Sequence, residues 1–387
     1  MPTTDVSELS KNDKRRSVIL IVSVVLITAA VLTAVFTKDK WLPALKANTE
    51  PAPSPAVQEE AELSEGNFPL KINSGMGYQL MTMDTNLALL DDSSFHIYNS
   101  DGKVMLEQRH TYANPILCTS RNKALIYDVG GTQFRLLNKN KQIYEKLTDG
   151  VIYLARLSET DLAAVVTKSD RCLSQLDIYN DKGTVVFSYY SSDSRIIDIE
   201  FNKNSTGCIV TVLDTKDGEL RSSMICFDFS QEPPIWTGDS VNALAMDVRW
   251  YDNDTIAMVG DTAYALFDSN GHKISEHYYN APIKDYASAG ELTAVVTENT
   301  ALRRTMLEIF VPGRDCVNII LEAEEKDVYI SGNEIYILTS EYIYIYSPEG
   351  VKTARIKLRD QFGDICKSGK YIYLLGYDSV SRIDFVN

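Results

Sequence analysis

The chain is 387 residues long and 44% hydrophobic, enough for a sizeable core yet longer than one compact core usually extends, which favours a repeated architecture. It carries 38 Lys+Arg against 53 Asp+Glu, and residues 41–387 hold 32 basic against 49 acidic side chains. That balance argues against a nucleic-acid partner, which would need clustered Lys and Arg for the phosphates, and it repels anionic lipid head groups.

Residues 1–16 are polar and end in Lys14-Arg15-Arg16, and Val18 to Phe36 then runs for nineteen residues without a charge. At 1.5 Å of rise per residue such a helix covers the roughly 30 Å hydrocarbon layer, so a transmembrane helix is expected over 17–37. It is too long for the apolar region of a cleaved signal peptide. Lys11, Lys14, Arg15 and Arg16 precede it, whereas Lys38, Asp39 and Lys40 nearly cancel behind it. The positive-inside rule therefore makes 1–16 a cytoplasmic tail and places the remainder outside the cell membrane. Residues 38–67, with Pro51, Pro53, Pro55 and the acidic run Glu59-Glu60-Ala61-Glu62, read as a flexible extracytoplasmic linker.

From Phe68 the texture changes to short apolar runs separated by Gly, Asn, Asp, Ser and Pro, an all-β pattern. One phrase recurs. Leu176–Gly183 (Leu-Asp-Ile-Tyr-Asn-Asp-Lys-Gly) alternates apolar and polar residues, then enters turn chemistry suited to a hairpin. Related phrases end at Gly102, Gly271 and Gly350. Aligned on the last apolar residue, the anchors are Tyr98, Leu137, Tyr179, Phe229, Phe267, Phe310, Tyr346 and Phe385, spaced 36 to 50 residues apart. A period near forty with several strands per unit predicts a β-propeller over 68–387, with eight blades or, if a terminal unit is irregular, seven. The third unit parses as strands Ile152–Arg156, Leu162–Thr167, Leu173–Tyr179 and Val185–Tyr190. The last unit offers only three strands, and Phe68–Ile72 is expected to supply the fourth and close the ring.

Little in the sequence suggests chemistry. The six cysteines, Cys118, Cys172, Cys208, Cys226, Cys316 and Cys366, form no CxxC pair, so zinc and thioredoxin readings fail. Buried free thiols are expected, although an exported location leaves a bridge open. His96, His110, His272 and His277 lack the spacing of a helical metal pair, and no metal or cofactor site is expected. Asp268–Gly271 and Asn99–Gly102 resemble fragments of calcium loops but lack the closing Glu, and read as turns. No Gly-x-Ser-x-Gly elbow or phosphate loop is present. Arg249, Trp250 and Tyr251 are the candidate partner-binding residues, because Arg, Trp and Tyr are enriched at interface hot spots.

The order Lys14-Arg15-Arg16, apolar span, Pro-rich linker and phrases such as Leu176–Gly183 resembles the uncharacterised single-pass, membrane-anchored β-propellers of Gram-positive bacteria, a family of unknown function loosely related to WD40-like and quinoprotein-like propellers. The repeated Trp of the quinoprotein blade and the Trp-Asp dipeptide of WD40 repeats are both missing, so no site residues transfer. The expected function is a non-enzymatic extracytoplasmic scaffold presenting loops to a protein or polysaccharide partner at the cell envelope. The alternative is a glycan-acting hydrolase or lyase with a site assembled from several blades.

Overall fold

The computed structural model describes residues 67–74, 77–251, 254–300 and 304–385, together with the strand 57–58. The expected tail 1–16, membrane span 17–37 and most of the linker 38–67 lie outside the described residues. Among the described residues no helix is long and apolar enough to cross a membrane.

The recurring phrase is the hinge between the third and outer strands of a blade. Asn180 Oδ1 accepts the backbone N–H of Lys182 and of Thr184, both at 3.0 Å, while Gly183 takes a positive φ of 70° that a side chain would resist. The register shifts by one residue between Ile178 and Tyr179, giving a tight turn with a glycine bulge. Asn99 with Gly102 and Asp268 with Gly271 repeat the arrangement, and shifts at Tyr98, Phe267 and Tyr346 mark the same place in blades 1, 5 and 7.

Eight antiparallel sheets result, each entered by its innermost strand. The inner strands are Gln79–Met83, Pro115–Thr119, Ile152–Leu157, Arg195–Phe201, Ala245–Trp250, Ile283–Ala289, Glu325–Ser331 and Phe362–Ser368 in blades 1 to 8. The third blade continues through Ala163–Thr167, Ser174–Tyr179 and Val185–Ser191, within a residue of expectation at each strand boundary. Blade 4 is the long unit because its middle strands, Gly207–Lys216 and Glu219–Asp228, have ten residues each and turn at Asp217-Gly218, both at positive φ.

Ring closure follows the expected scheme: Leu70–Lys71 pairs with Ser379–Asp384 as the outer strand of blade 8, which settles the blade number at eight. Val57–Gln58 run parallel to the outer strand of blade 7, Val57 beside Arg355.

The second strands are apolar on both faces because each blade is covered on both sides by its neighbours. All five residues of Ala163–Thr167 and of Ile256–Gly260 are buried. The core is correspondingly divided among the blade interfaces, such as Leu125, Tyr127 and Phe134 of blade 2 against Ile152, Ala163 and Val165 of blade 3. Phe68, Leu70 and Tyr373 of blade 8 similarly meet Leu80 and Leu87 of blade 1. Each buried Leu, Ile or Phe contributes about 1.5–3 kcal/mol, so the interfaces hold the ring. The described cysteines are free thiols, three of them buried.

Candidate functional site

The inner strands of blades 3 to 8 each carry a register shift near their start. In blades 4 to 8 the residue just after the shift is an aspartate: Asp198, Asp247, Asp285, Asp327 and Asp364. A bulge bends the strand and re-aims the next side chain, and four of these carboxylates reach the neighbouring blade. Asp198 Oδ2 accepts from Val248 N (3.0 Å), Asp285 Oδ2 from Val328 N (3.1 Å) and Asp327 Oδ2 from Ile365 N (2.8 Å). Asp364 closes the circuit on the backbone N–H of Leu80 in blade 1.

Other groups provide the remaining links. Gln79 donates to Pro115 O (2.7 Å) and accepts from Leu117 N (2.9 Å), joining blades 1 and 2. Cys118 donates to Ala155 O (3.4 Å), joining blades 2 and 3. Arg156 pairs with Asp198 at 2.7 Å between blades 3 and 4. The Tyr286 hydroxyl donates to Met246 O (3.1 Å) between blades 5 and 6.

At the C-terminal ends of these strands a funnel of about 850 Å³ opens, lined by residues of blades 1 to 7. Trp250, Tyr286 and Tyr329 supply aromatic surface, and Arg156, Glu200, Asp247 and Arg249 supply charge. Arg249 Nε lies 3.0 Å from Asp247 Oδ2, and its Nη1 lies 3.6 Å from Glu200 Oε2. Burial pushes Glu200 up to about 7 despite Arg249 beside it, and Glu200 also accepts the Trp250 backbone N–H. Burial raises Asp247 as well, again against Arg249.

On the other side of the ring, burial and then the Asp364 carboxyl push Asp327 up to about 9. Asp364 is also raised by burial, so the hydrogen-bonded pair holds a proton at neutral pH. Burial lifts Glu325 to about 7 against the opposing pull of Lys284.

Of the candidate residues, Arg249 and Trp250 meet at the funnel. Tyr251 does not join them: only 2% exposed, it packs between blades 5 and 6, its hydroxyl 2.6 Å from Thr293 Oγ1. Tyr251 follows the last residue of the inner strand Ala245–Trp250 and turns into the blade interface, although it and Trp250 both border a smaller pocket of about 190 Å³. The bulge aspartates were not singled out from sequence, although the inner strands repeat an x-Asp-apolar signature in Ile197-Asp198-Ile199, Met246-Asp247-Val248, Lys326-Asp327-Val328 and Gly363-Asp364-Ile365. A second cleft of about 550 Å³ beside blade 1 is lined by Lys71, Asp91, His96 and Arg109. Among the described residues, the group of side chains able to hold a metal is His277, Glu308 and Cys316 between blades 5 and 6.

Eight radial sheets around a polar, strutted channel define an eight-bladed β-propeller. Residues 68–385 match the family of unknown function DUF5711, and the chain belongs to that family. The C-terminal WD40 domain of Sif2 has the same fold, with 13% identity over 85% of this chain and 99% of that one and a TM-score of 0.61. BamB from Moraxella catarrhalis is similar at 11% identity, covering 82% of this chain and 100% of that one, with a TM-score of 0.54. At such identities the likeness is one of fold. No curated protein matches the chain.

Proposed function

We propose that the protein is a non-enzymatic binding scaffold, tethered to the cell membrane through 17–37 with its propeller on the extracytoplasmic side, and that a protein partner seats in the funnel against Trp250, Tyr286 and Tyr329. The supporting observation is the commitment of the channel's charges. Asp198, Asp285, Asp327 and Asp364 each accept a backbone N–H from the next blade, and Arg156 and Arg249 are neutralised by Asp198, Asp247 and Glu200. Groups used to hold blades together are costly to redirect toward a substrate, whereas a rim of aromatic side chains can contribute binding energy without disturbing them.

A photo-crosslinking residue in place of Trp250 in the full chain tests this in intact cells. A discrete protein adduct, not formed from the same residue at the exposed Tyr377, is expected. Equal labelling from both sites, or adducts only with glycan, sinks the reading.

One observation favours a second reading. Glu200 and Asp247 both bind protons more tightly than ordinary carboxyls in one cavity, as a glycan hydrolase's general acid does. Release of reducing ends from cell-wall glycan by the native protein, lost in Glu200→Gln, would establish it.

A further inference from the structure

Glu308 stands on the third strand of blade 6, facing blade 5, with only 1% of its surface exposed. Glu308 pairs with Val295 across the sheet, and a carboxylate buried there is costly unless cationic or hydrogen-bonding partners surround it. One oxygen, Oε1, accepts from Thr297 Oγ1 at 3.1 Å. The other, Oε2, lies 3.0 Å from His277 Nε2, which reaches across from the outer strand of blade 5. Cys316, in the segment leading to the outer strand of blade 6, completes the group, and the nitrogen, oxygen and sulfur atoms all lie within 4.8 Å of one another. The Cys316 thiol also makes a long 3.9 Å contact to Val317 O and a hydrogen bond with the Ile309 backbone.

We propose that His277 Nε2, Glu308 Oε2 and Cys316 Sγ form a binding site for a borderline divalent cation of the zinc type, which staples blade 5 to blade 6. Zinc takes imidazole, carboxylate and thiolate at about 2.0–2.3 Å in tetrahedral geometry, so its ligand atoms stand roughly 3.3–3.8 Å apart. The ligand atoms lie within 4.8 Å of one another, so they must draw closer to reach that spacing, a movement for rotation of the His277 and Cys316 side chains to supply. One nitrogen, one oxygen and one sulfur donor do not suit calcium or magnesium, which take oxygen ligands.

Two features beyond the three ligands support the assignment. Thr297 holds the second oxygen of Glu308, the outer contact that fixes a ligating carboxylate's direction. The buried hydroxyl of Tyr279, which has no hydrogen-bond partner among the described residues, lies in the fields of both Glu308 and Cys316 and can hold a water in the fourth position. The His277 side chain is 35% exposed, which gives the ion a way in.

The full chain, stripped with chelator and dialysed against Zn²⁺ or Co²⁺, tests the site. One equivalent should be retained, the Co²⁺ form should show a thiolate-to-metal charge-transfer band, and thermal unfolding should shift upward. Removing an outer-shell partner alone weakens metal sites by about 10–100-fold, so Cys316→Ser and His277→Ala should weaken binding by more than about a hundredfold and abolish the band. Cys172→Ser should leave both intact. Glu308→Gln alters a buried group and can unfold the blade, so the decisive comparison is Cys316→Ser, whose site lies at a strand's edge, with Cys172→Ser. Failure to retain the ion, or a band that survives Cys316→Ser, overturns the proposal.

Discussion

Leu70 pairs with Val380, so the start of the propeller supplies the outer strand of its last blade. Phe68, just before it, packs at 5.6 Å from the Tyr373 ring and lies 5.3 Å under the Arg382 guanidinium. Closing the ring in this way removes a sheet edge that would otherwise recruit other chains. Phe68→Ala should therefore lower unfolding stability by about 3–5 kcal/mol, and deletion through Lys71 should cause concentration-dependent association. Urea denaturation and sedimentation measure both; a near-native Phe68→Ala protein would show that the ring is held elsewhere.

The bulge aspartates make a second expectation. Asp198 is buried and serves two partners, Arg156 at 2.7 Å and Val248 N at 3.0 Å. Asp198→Ala leaves the Val248 amide without its acceptor and returns the partly exposed Arg156 guanidinium to water, and should cost about 1–3 kcal/mol in urea denaturation. Asp198→Asn keeps an acceptor for Val248 and should cost less. Equal losses in the two variants would assign the whole effect to the charge pair.

The channel also sets a pH dependence. Glu200 and Glu325, raised to about 7, and Asp327, raised to about 9, bind protons more tightly folded than unfolded. Their contribution is complete below the ordinary carboxyl range of about 4 and is lost as pH rises through about 7 to 9. Asp91 acts oppositely: against its burial, hydrogen bonds from Ser94 and Ser93 hold it below the ordinary value, so its contribution is lost in acid. Stability should accordingly be greatest near about pH 4, where the unfolded carboxyls begin to ionise, and decline from there toward pH 9. Asp327→Asn mimics the protonated side chain, still accepts from Ile365 N and should flatten the decline between pH 7 and 9. Midpoints in urea at pH 5, 7 and 9 check this; an equally steep variant would dissociate the slope from Asp327.

The architecture was legible because its signals are local. Asn180, Asp181 and Gly183 spell a turn within four residues, and Ala163–Val166 is an unbroken apolar run because the strand is covered twice. Leu70 was identifiable as the closing strand because the last blade was one strand short. The struts were harder to see, since a single Asp in an alternating strand reads as solvent-facing, while Asp285 and its partner Val328 lie on successive blades. His277, Glu308 and Cys316 likewise come together only when blade 5 packs on blade 6, a juxtaposition that no spacing rule encodes.

Trp250 and Tyr251 are adjacent in sequence and should respond oppositely to substitution. Tyr251 is enclosed between blades 5 and 6, so Tyr251→Phe should cost about 1 kcal/mol through loss of the Thr293 hydrogen bond, and Tyr251→Ala about 3–5 kcal/mol. Trp250 is half-buried at the funnel, its neighbour Arg249 already fixed by Asp247 and Glu200. Trp250→Ala should change the unfolding midpoint much less than Tyr251→Ala while abolishing recovery of whichever partner crosslinks at that position. Retention of the partner by Trp250→Ala, with loss in Tyr251→Phe, would move the contact surface away from the funnel and onto the flank of blades 5 and 6. The pair thus separates the part of the Arg249–Tyr251 segment that builds the ring from the part available to meet another molecule.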